Sequence, residues 1–229
     1  MKTIGLLGGM SWESSALYYQ LINEGVRDQL GGLHSAKVIL ASVDFAEIEH
    51  LQSTNDWDGA GQLLAEQSRL LEAAGADFIV LCTNTMHKVA PSIESAVAIP
   101  FLHLADTTAA AITDSGMSAV GLIGTSFTME EDFYKDRLSA HGLTVLVPDA
   151  AQRQIIHRII YEELVLGVVS DTSRTEYVSV IAALHHRGAQ GVILGCTEIE
   201  LLISDDDSPI PTFPTTQLHA QAAIKMALT

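Results

Sequence analysis

Apolar positions along this chain follow two rhythms. Short, nearly continuous apolar runs alternate with longer stretches in which apolar residues recur every three or four positions. The first rhythm predicts buried strands at 3–7, 36–43, 78–82, 101–104, 119–123, 144–146 and 191–195. The second predicts helices over 14–28, 59–74, 87–97, 107–115, 129–140, 151–166, 172–187 and 217–228. Glycines close several of them, for example Gly75 after Ala74 and Gly188 after Arg187. Strands alternating with helices imply an α/β fold with largely parallel sheets.

The pattern also occurs twice. Ile4-Gly5-Leu6-Leu7-Gly8-Gly9 is matched by Val120-Gly121-Leu122-Ile123-Gly124-Thr125. Gly75-Ala76-Asp77-Phe78-Ile79-Val80-Leu81-Cys82-Thr83 is matched by Gly188-Ala189-Gln190-Gly191-Val192-Ile193-Leu194-Gly195-Cys196. Ile99-Pro100 and Ile210-Pro211 each precede a threonine pair, Thr107-Thr108 and Thr215-Thr216. Two copies in the same order, at nearly constant offset, indicate a duplicated half-domain and not a solenoid. The expectation is two pseudo-symmetric lobes, each a mostly parallel sheet flanked by helices. The first covers 1–98 and is completed by 208–229; the second covers 99–207. Parallel α/β sheets bind ligands at the carboxyl ends of their strands. The repeat superposes Thr83 on Cys196 at such ends, so a cleft between the lobes would hold one molecule between these two side chains.

Composition narrows the function classes. A chain of 229 residues with 48% apolar and 17% charged residues has the make-up of a folded protein with a substantial core. A formal net charge of -16, with no basic patch, argues against a nucleic-acid partner. Any anion site must therefore be local, built from backbone N–H groups or a few side chains. The start of the chain resembles a signal peptide only briefly, because Trp12-Glu13 stands where a small-residue cleavage site should lie. No stretch approaches the length of a membrane span, so no membrane association is expected. Two cysteines, Cys82 and Cys196, are too few for a disulfide framework, which suggests a cytoplasmic location.

Cys196 follows an apolar strand and precedes a helix start in Leu194-Gly195-Cys196-Thr197-Glu198. A thiol at a helix N-terminus is expected to have a lowered pKa. The alternative is a buried, inert cysteine. Cys82 precedes Thr83, and successive strand side chains point to opposite faces. If Thr83 faces a ligand, Cys82 packs backwards; a one-residue slip would reverse the two. Ser11, Asn84, Thr85, Thr125 and Thr197 are short polar residues at strand-to-helix turns, fit to cradle a carboxylate or to cap a helix. Thr128 and Glu131 match a capping box. His87 and Glu198 each lie within a few residues of a candidate acid or base and could tune the cysteine or orient an ammonium group; helix capping and surface solvation are the plainer roles. Gly5, Gly8 and Gly9 do not fit the dinucleotide fingerprint, and no P-loop is present. None of the nine histidines forms a ligand pair at helical spacing with a third partner, so no metal is expected.

Three segments carry a family resemblance: Gly8-Gly9-Met10-Ser11, Cys82-Thr83-Asn84-Thr85-Met86-His87 and Gly195-Cys196-Thr197-Glu198. They resemble the signatures of the aspartate/glutamate racemases, and Ile159-Ile160-Tyr161-Glu162-Glu163-Leu164 leading to Gly167 resembles that family's second-lobe helix. The resemblance implies no cofactor, a small amino-acid substrate and a homodimer. Its substrate-binding positions would fall on Met10, Ser11, Asn84, Thr85, Thr125 and Thr197. The family places one cysteine at each strand end, one thiolate abstracting the α-proton while the opposing thiol donates. Carried over by position, the second is Cys196, while the first falls on Thr83. A hydroxyl is far less acidic than a thiol of pKa about 8.5, so Thr83 would donate or relay a proton more readily than abstract one. Because the second-lobe cysteine of the family usually serves the L-enantiomer, the resemblance implies that Cys196 deprotonates L-substrate and that Thr83, or a water it holds, reprotonates toward D. Family members acting on acidic amino acids tend to carry basic residues in the loop after the second strand and on the second-lobe helix. Here residues 45–57 contain no lysine or arginine, and Val165 stands at the helical position, so a broader substrate range is expected alongside aspartate and glutamate. A decarboxylase or isomerase of small diacids, or a binding protein that lost catalysis, would fit the same scaffold.

Overall fold

In a computed structural model describing all of residues 1–229, the two rhythms become two four-stranded parallel sheets. The chain forms two compact units, one of residues 1–104 and 219–229, the other of residues 105–218. No helix is long and apolar enough to cross a membrane.

The first unit is built on β1 (Thr3–Gly8), β2 (Lys37–Ser42), β3 (Phe78–Leu81) and β4 (Phe101–Leu102), in the order β2-β1-β3-β4. Its helices are α1 (Trp12–Leu30), α2 (Phe45–Ser53), α3 (Trp57–Ala73) and α4 (Ala90–Glu94). The period of two along the strands sorts their side chains. Ile4, Leu6, Phe78, Val80 and Cys82 pack with Tyr18, Ile22 and Val26 of α1 and with Ala220, Ala223 and Ile224. Leu7, Ile79 and Leu81 pack on the other face with Leu64 and Leu71 of α3. Both faces are covered, which is why the strands read as unbroken apolar runs. Each fully buried aliphatic side chain contributes about 1.5–3 kcal/mol.

The second unit repeats this plan with β5 (Ala119–Gly124), β6 (Thr144–Leu146), β7 (Gly191–Gly195) and β8 (Thr212–Pro214), in the order β6-β5-β7-β8. Its helices are α5 (Leu104–Asp114), α6 (Ser126–Glu130), α7 (Asp132–Ala140), α8 (Ala150–Glu162) and α9 (Asp171–His186). Ile123, Val192 and Leu194 pack with Ile156 and Ile160 of α8 and with Tyr177, Ile181 and Leu184 of α9. The last helix, α10 (Thr215–Leu228), starts directly after β8, and its residues from His219 onward belong to the first unit.

Several elements differ from the sequence expectation. Residues 45–53, for which no helix is expected, form α2, capped by Asp44 through the Ala46 N–H at 3.1 Å. β8 is unexpected because Pro211 precedes it and Pro214 is its last residue; it lies at a sheet edge, where proline is tolerated. The helix expected over 87–97 is a 3-10 turn, Thr85–Val89, followed by the short α4 with Pro91 in its first turn. The helix expected over 129–140 is broken at Glu131, and that over 151–166 ends at Glu162 before a 3-10 turn and the left-handed Gly167. The strand expected over 101–104 stops at Leu102, since Leu104 already starts α5. The capping residue of α6 is Thr125, which accepts the Thr128 N–H at 3.3 Å; Thr128 is buried inside that helix and does not cap it.

Candidate active site

In the first unit, the candidate residues gather where β1 and β3 end. Gly9 has φ +96°, and a Cβ there would run into the Val43 backbone. This close approach lets the chain turn sharply from β1 into α1 through the cis Met10–Ser11 peptide. Ser15 ties the turn together, its Oγ accepting the Gly9 N–H at 2.8 Å and donating to the Ser11 carbonyl at 3.0 Å. Ser11 caps α1 by accepting the Ser14 N–H at 3.3 Å, while the Met10 side chain is buried among the α3-facing apolar residues.

Beside this turn, β3 delivers Cys82 and Thr83. Cys82 is fully buried on the α1 side with Phe78 and Val80, and burial pushes its thiol pKa up, so it is an inert core residue. Thr83, one position on, is half-buried, and Asn84 and Thr85 come next, both buried. The buried His87 imidazole fastens this segment. Its Nδ1 lies 2.7 Å from the Thr83 carbonyl, which can only accept, so Nδ1 carries the proton. Its Nε2 accepts the Leu104 N–H at 3.2 Å. Burial, with His103 and His219 close by, holds the His87 pKa well below the usual imidazole range. His219 is fixed the same way, its Nε2 donating to the Leu102 carbonyl at 2.8 Å and its Nδ1 accepting from the Tyr18 hydroxyl at 2.9 Å. His87 is therefore a neutral structural link, within the first unit, between the Thr83 strand end and Leu104. His103, His219 and Ser15, which surround these groups, carry no local sequence signal, because only folding assembles them.

In the second unit, β5 and β7 end in the corresponding way. Thr125 caps α6, and Cys196 comes directly after β7. The sequence expectation that a helix N-terminus lowers the Cys196 pKa fails. Beyond Cys196 the chain forms only a five-residue 3-10 turn, Thr197–Leu201, too short to align a dipole. Burial, then the Glu198 carboxylate, push the thiol well above its ordinary value. Its Sγ donates to Glu198 Oε2 at 2.8 Å. The half-buried Thr197 accepts from the Thr216 hydroxyl at 3.2 Å, so α10 reaches this turn through its first residues. Glu200, which has no distinguishing pattern in the sequence, also binds α10, its Oε1 accepting the Thr216 N–H at 3.0 Å.

Strand register relates the two ends. Leu7 pairs with Leu81 in the first sheet, and Ile123 pairs with Leu194 in the second. Two residues beyond each pairing stand Thr83 and Cys196, the same place in two copies of one plan.

Known proteins share this fold. The family described as Asp/Glu/Hydantoin racemase matches residues 7–223. The chain belongs to that family. It is a racemase, an isomerase by reaction class. Similar solved structures include a candidate Asp/Glu racemase from Yersinia pestis, 54% identical with a TM-score of 0.96, and an aspartate racemase homologue from Pyrococcus horikoshii OT3, 33% identical with a TM-score of 0.89. Both alignments cover 100% of each chain. The broad specificity amino-acid racemase RacX of Bacillus subtilis (strain 168) is 23% identical over 180 residues, 76% of this chain and 74% of its own length. The racemase thus carries one thiol at its paired strand ends, with a hydroxyl at the other.

Proposed function

We propose that this racemase inverts the α-carbon of an amino acid, with Cys196 as the base toward the L-enantiomer and Thr83 supplying the proton that yields D. The observation that carries the reading is the Cys196–Glu198 hydrogen bond at a strand end whose counterpart is Thr83. The thiol gives its proton to the Glu198 carboxylate and becomes a thiolate. That thiolate takes the α-proton, and the electron pair of the broken C–H bond spreads into the substrate carboxylate. The Thr83 hydroxyl, or a water it holds, then delivers a proton to the opposite face and is reprotonated from solvent. A substrate ammonium group favours the first step, since a nearby cation offsets the penalty that burial and Glu198 impose on a thiolate. The turn residues Ser11, Asn84, Thr85, Thr125 and Thr197, with the Met10 backbone, are assigned to the substrate's carboxylate and ammonium groups.

The substrate class is aspartate or glutamate, or a wider set of amino acids. The absence of lysine and arginine from residues 45–57 and the broad specificity of the Bacillus subtilis relative support the wider set. The same reading has the enzyme act as a cytoplasmic homodimer, which sedimentation and cell fractionation test. Proton NMR of a panel of L-amino acids in deuterated water tests the chemistry. Loss of the α-proton signal with wild type but not with Cys196→Ala is the expected result. Exchange with neither enzyme, across acidic, neutral and hydroxylated amino acids, overturns the proposal.

A further inference from the structure

Glu200 is a carboxylate with an unusual setting. Both oxygens point at the first turn of α10, Oε1 accepting the Thr216 N–H at 3.0 Å and Oε2 accepting from Gln217 Nε2 at 3.4 Å. An anion at the N-terminus of a 14-residue helix is favoured by the unsatisfied N–H groups there. The same Thr216 passes its hydroxyl on to Thr197, the neighbour of Cys196. Glu200 thus ties the turn that presents Cys196 to a long helix. Its negative charge also reaches the thiol and makes the thiolate costlier to form.

We infer that Glu200 is a positioning residue that holds the Cys196 turn on α10 and adds a second negative charge, beside that of Glu198, against which the Cys196 thiol must ionise. Burial first, then the nearby Glu198 carboxylate, push Glu200 up to about 7, against the hydrogen bonds from Thr216 and Gln217 that favour its charged form. Its charge is therefore partial near neutrality. The other groups around the thiol are accounted for: Glu198 accepts its hydrogen bond, and the Tyr177 phenol of α9 holds its own proton tightly. Arg174 of α9, which reaches the end of the turn, is engaged by the Leu202 carbonyl and by Asp207. As pH rises through the Glu200 range, its carboxyl group loses a proton and the thiol next to it becomes harder to ionise. Below that range the neutral carboxyl keeps the helix contact through its carbonyl oxygen without opposing the thiolate.

The inference rests on Cys196 being the reactive base, but its test needs no substrate and so can fail independently of the racemase reading. The rate of Cys196 alkylation by iodoacetamide is followed by mass spectrometry between pH 5.5 and 9, with the buried Cys82 as the internal unreactive thiol. For wild type, the logarithm of the rate should climb with a slope of one, flatten around neutrality, and then resume that slope. Glu200→Gln keeps an oxygen for the Thr216 N–H and removes the charge. It should abolish the flattened region and raise the rate at pH 8 by about threefold or more. Glu200→Asp keeps the charge and should stay within about twofold of wild type. A purely structural role predicts no rate difference between Glu200→Gln and wild type. That superposition overturns the inference, as does an unbroken slope of one for wild type, a measurement that needs no variant to fold.

Discussion

A threonine hydroxyl holds its proton far more tightly than an ordinary thiol, so in the proposed proton exchange Thr83 and Cys196 are unequal partners. Thr83→Cys should raise kcat/KM by about tenfold or more, in the range that a positioned general acid or base contributes. The two directions must rise together, because an equilibrium constant of one ties their kcat/KM values. Coupled assays run from each enantiomer check this, and unchanged values would remove Thr83 from the proton path. That the two residues stand at corresponding strand ends is legible from the duplicated motifs alone. The acidity of Cys196 is not. Its sequence neighbours suggest a helix end, whereas its pKa is set by burial against α8 and α9 and by carboxylates that the fold brings close. Glu200 is silent in the sequence for the same reason: its meaning comes from Thr216, which is 16 residues away along the chain.

Among the elements, those with long periodic stretches are legible, and those that depend on a few residues are not. α3 and α9 follow from their apolar spacing, while α2 is hidden because its nine residues hold only one fully buried side chain, Ile48. α8 shows how an element serves the site from a distance. Asp149 and Gln152 form a reciprocal cap at its start, and Ile156, Ile159 and Ile160 then pack in the same cluster as Cys196. Asp149→Ala should cost about 1 kcal/mol of stability by freeing the Gln152 N–H. Asp149→Asn should recover most of it, and urea unfolding of both variants measures the difference. Equal losses would mean that the cap is not what holds the helix start.

For the molecule as a whole, buried titratable groups make stability depend on pH, and they pull in opposite directions. His87 and His219 fold with lowered pKa values, burial being the main cause, and His219 falls to about 4. The unfolded chain binds protons at these sites from about pH 6.5 downward while the fold does not, so each costs stability as pH falls. Glu200 does the reverse: its folded pKa is raised, so its contribution is lost as pH rises from about 4.5 toward 7. His87 and His219 against Glu200 leave about one net proton, and His157, also lowered by burial, adds to it, so stability should fall by roughly 1.4 kcal/mol or more per pH unit between pH 6.5 and 5. Glu163 and Asp207, held low by Ser173 and Ser204 respectively, add their losses only further into acid. Urea midpoints across that window check the slope, and His219→Gln should flatten it; a midpoint independent of pH would contradict the account. The route of the chain has a consequence in time. The residues that cover α1, from His219 to the end of α10, are joined to the first unit only after the whole of the second has been made. During synthesis the first unit therefore waits, with Tyr18, Ile22 and Val26 not yet covered by α10, until the last residues have been made. The part synthesised first is thus completed by the part synthesised last.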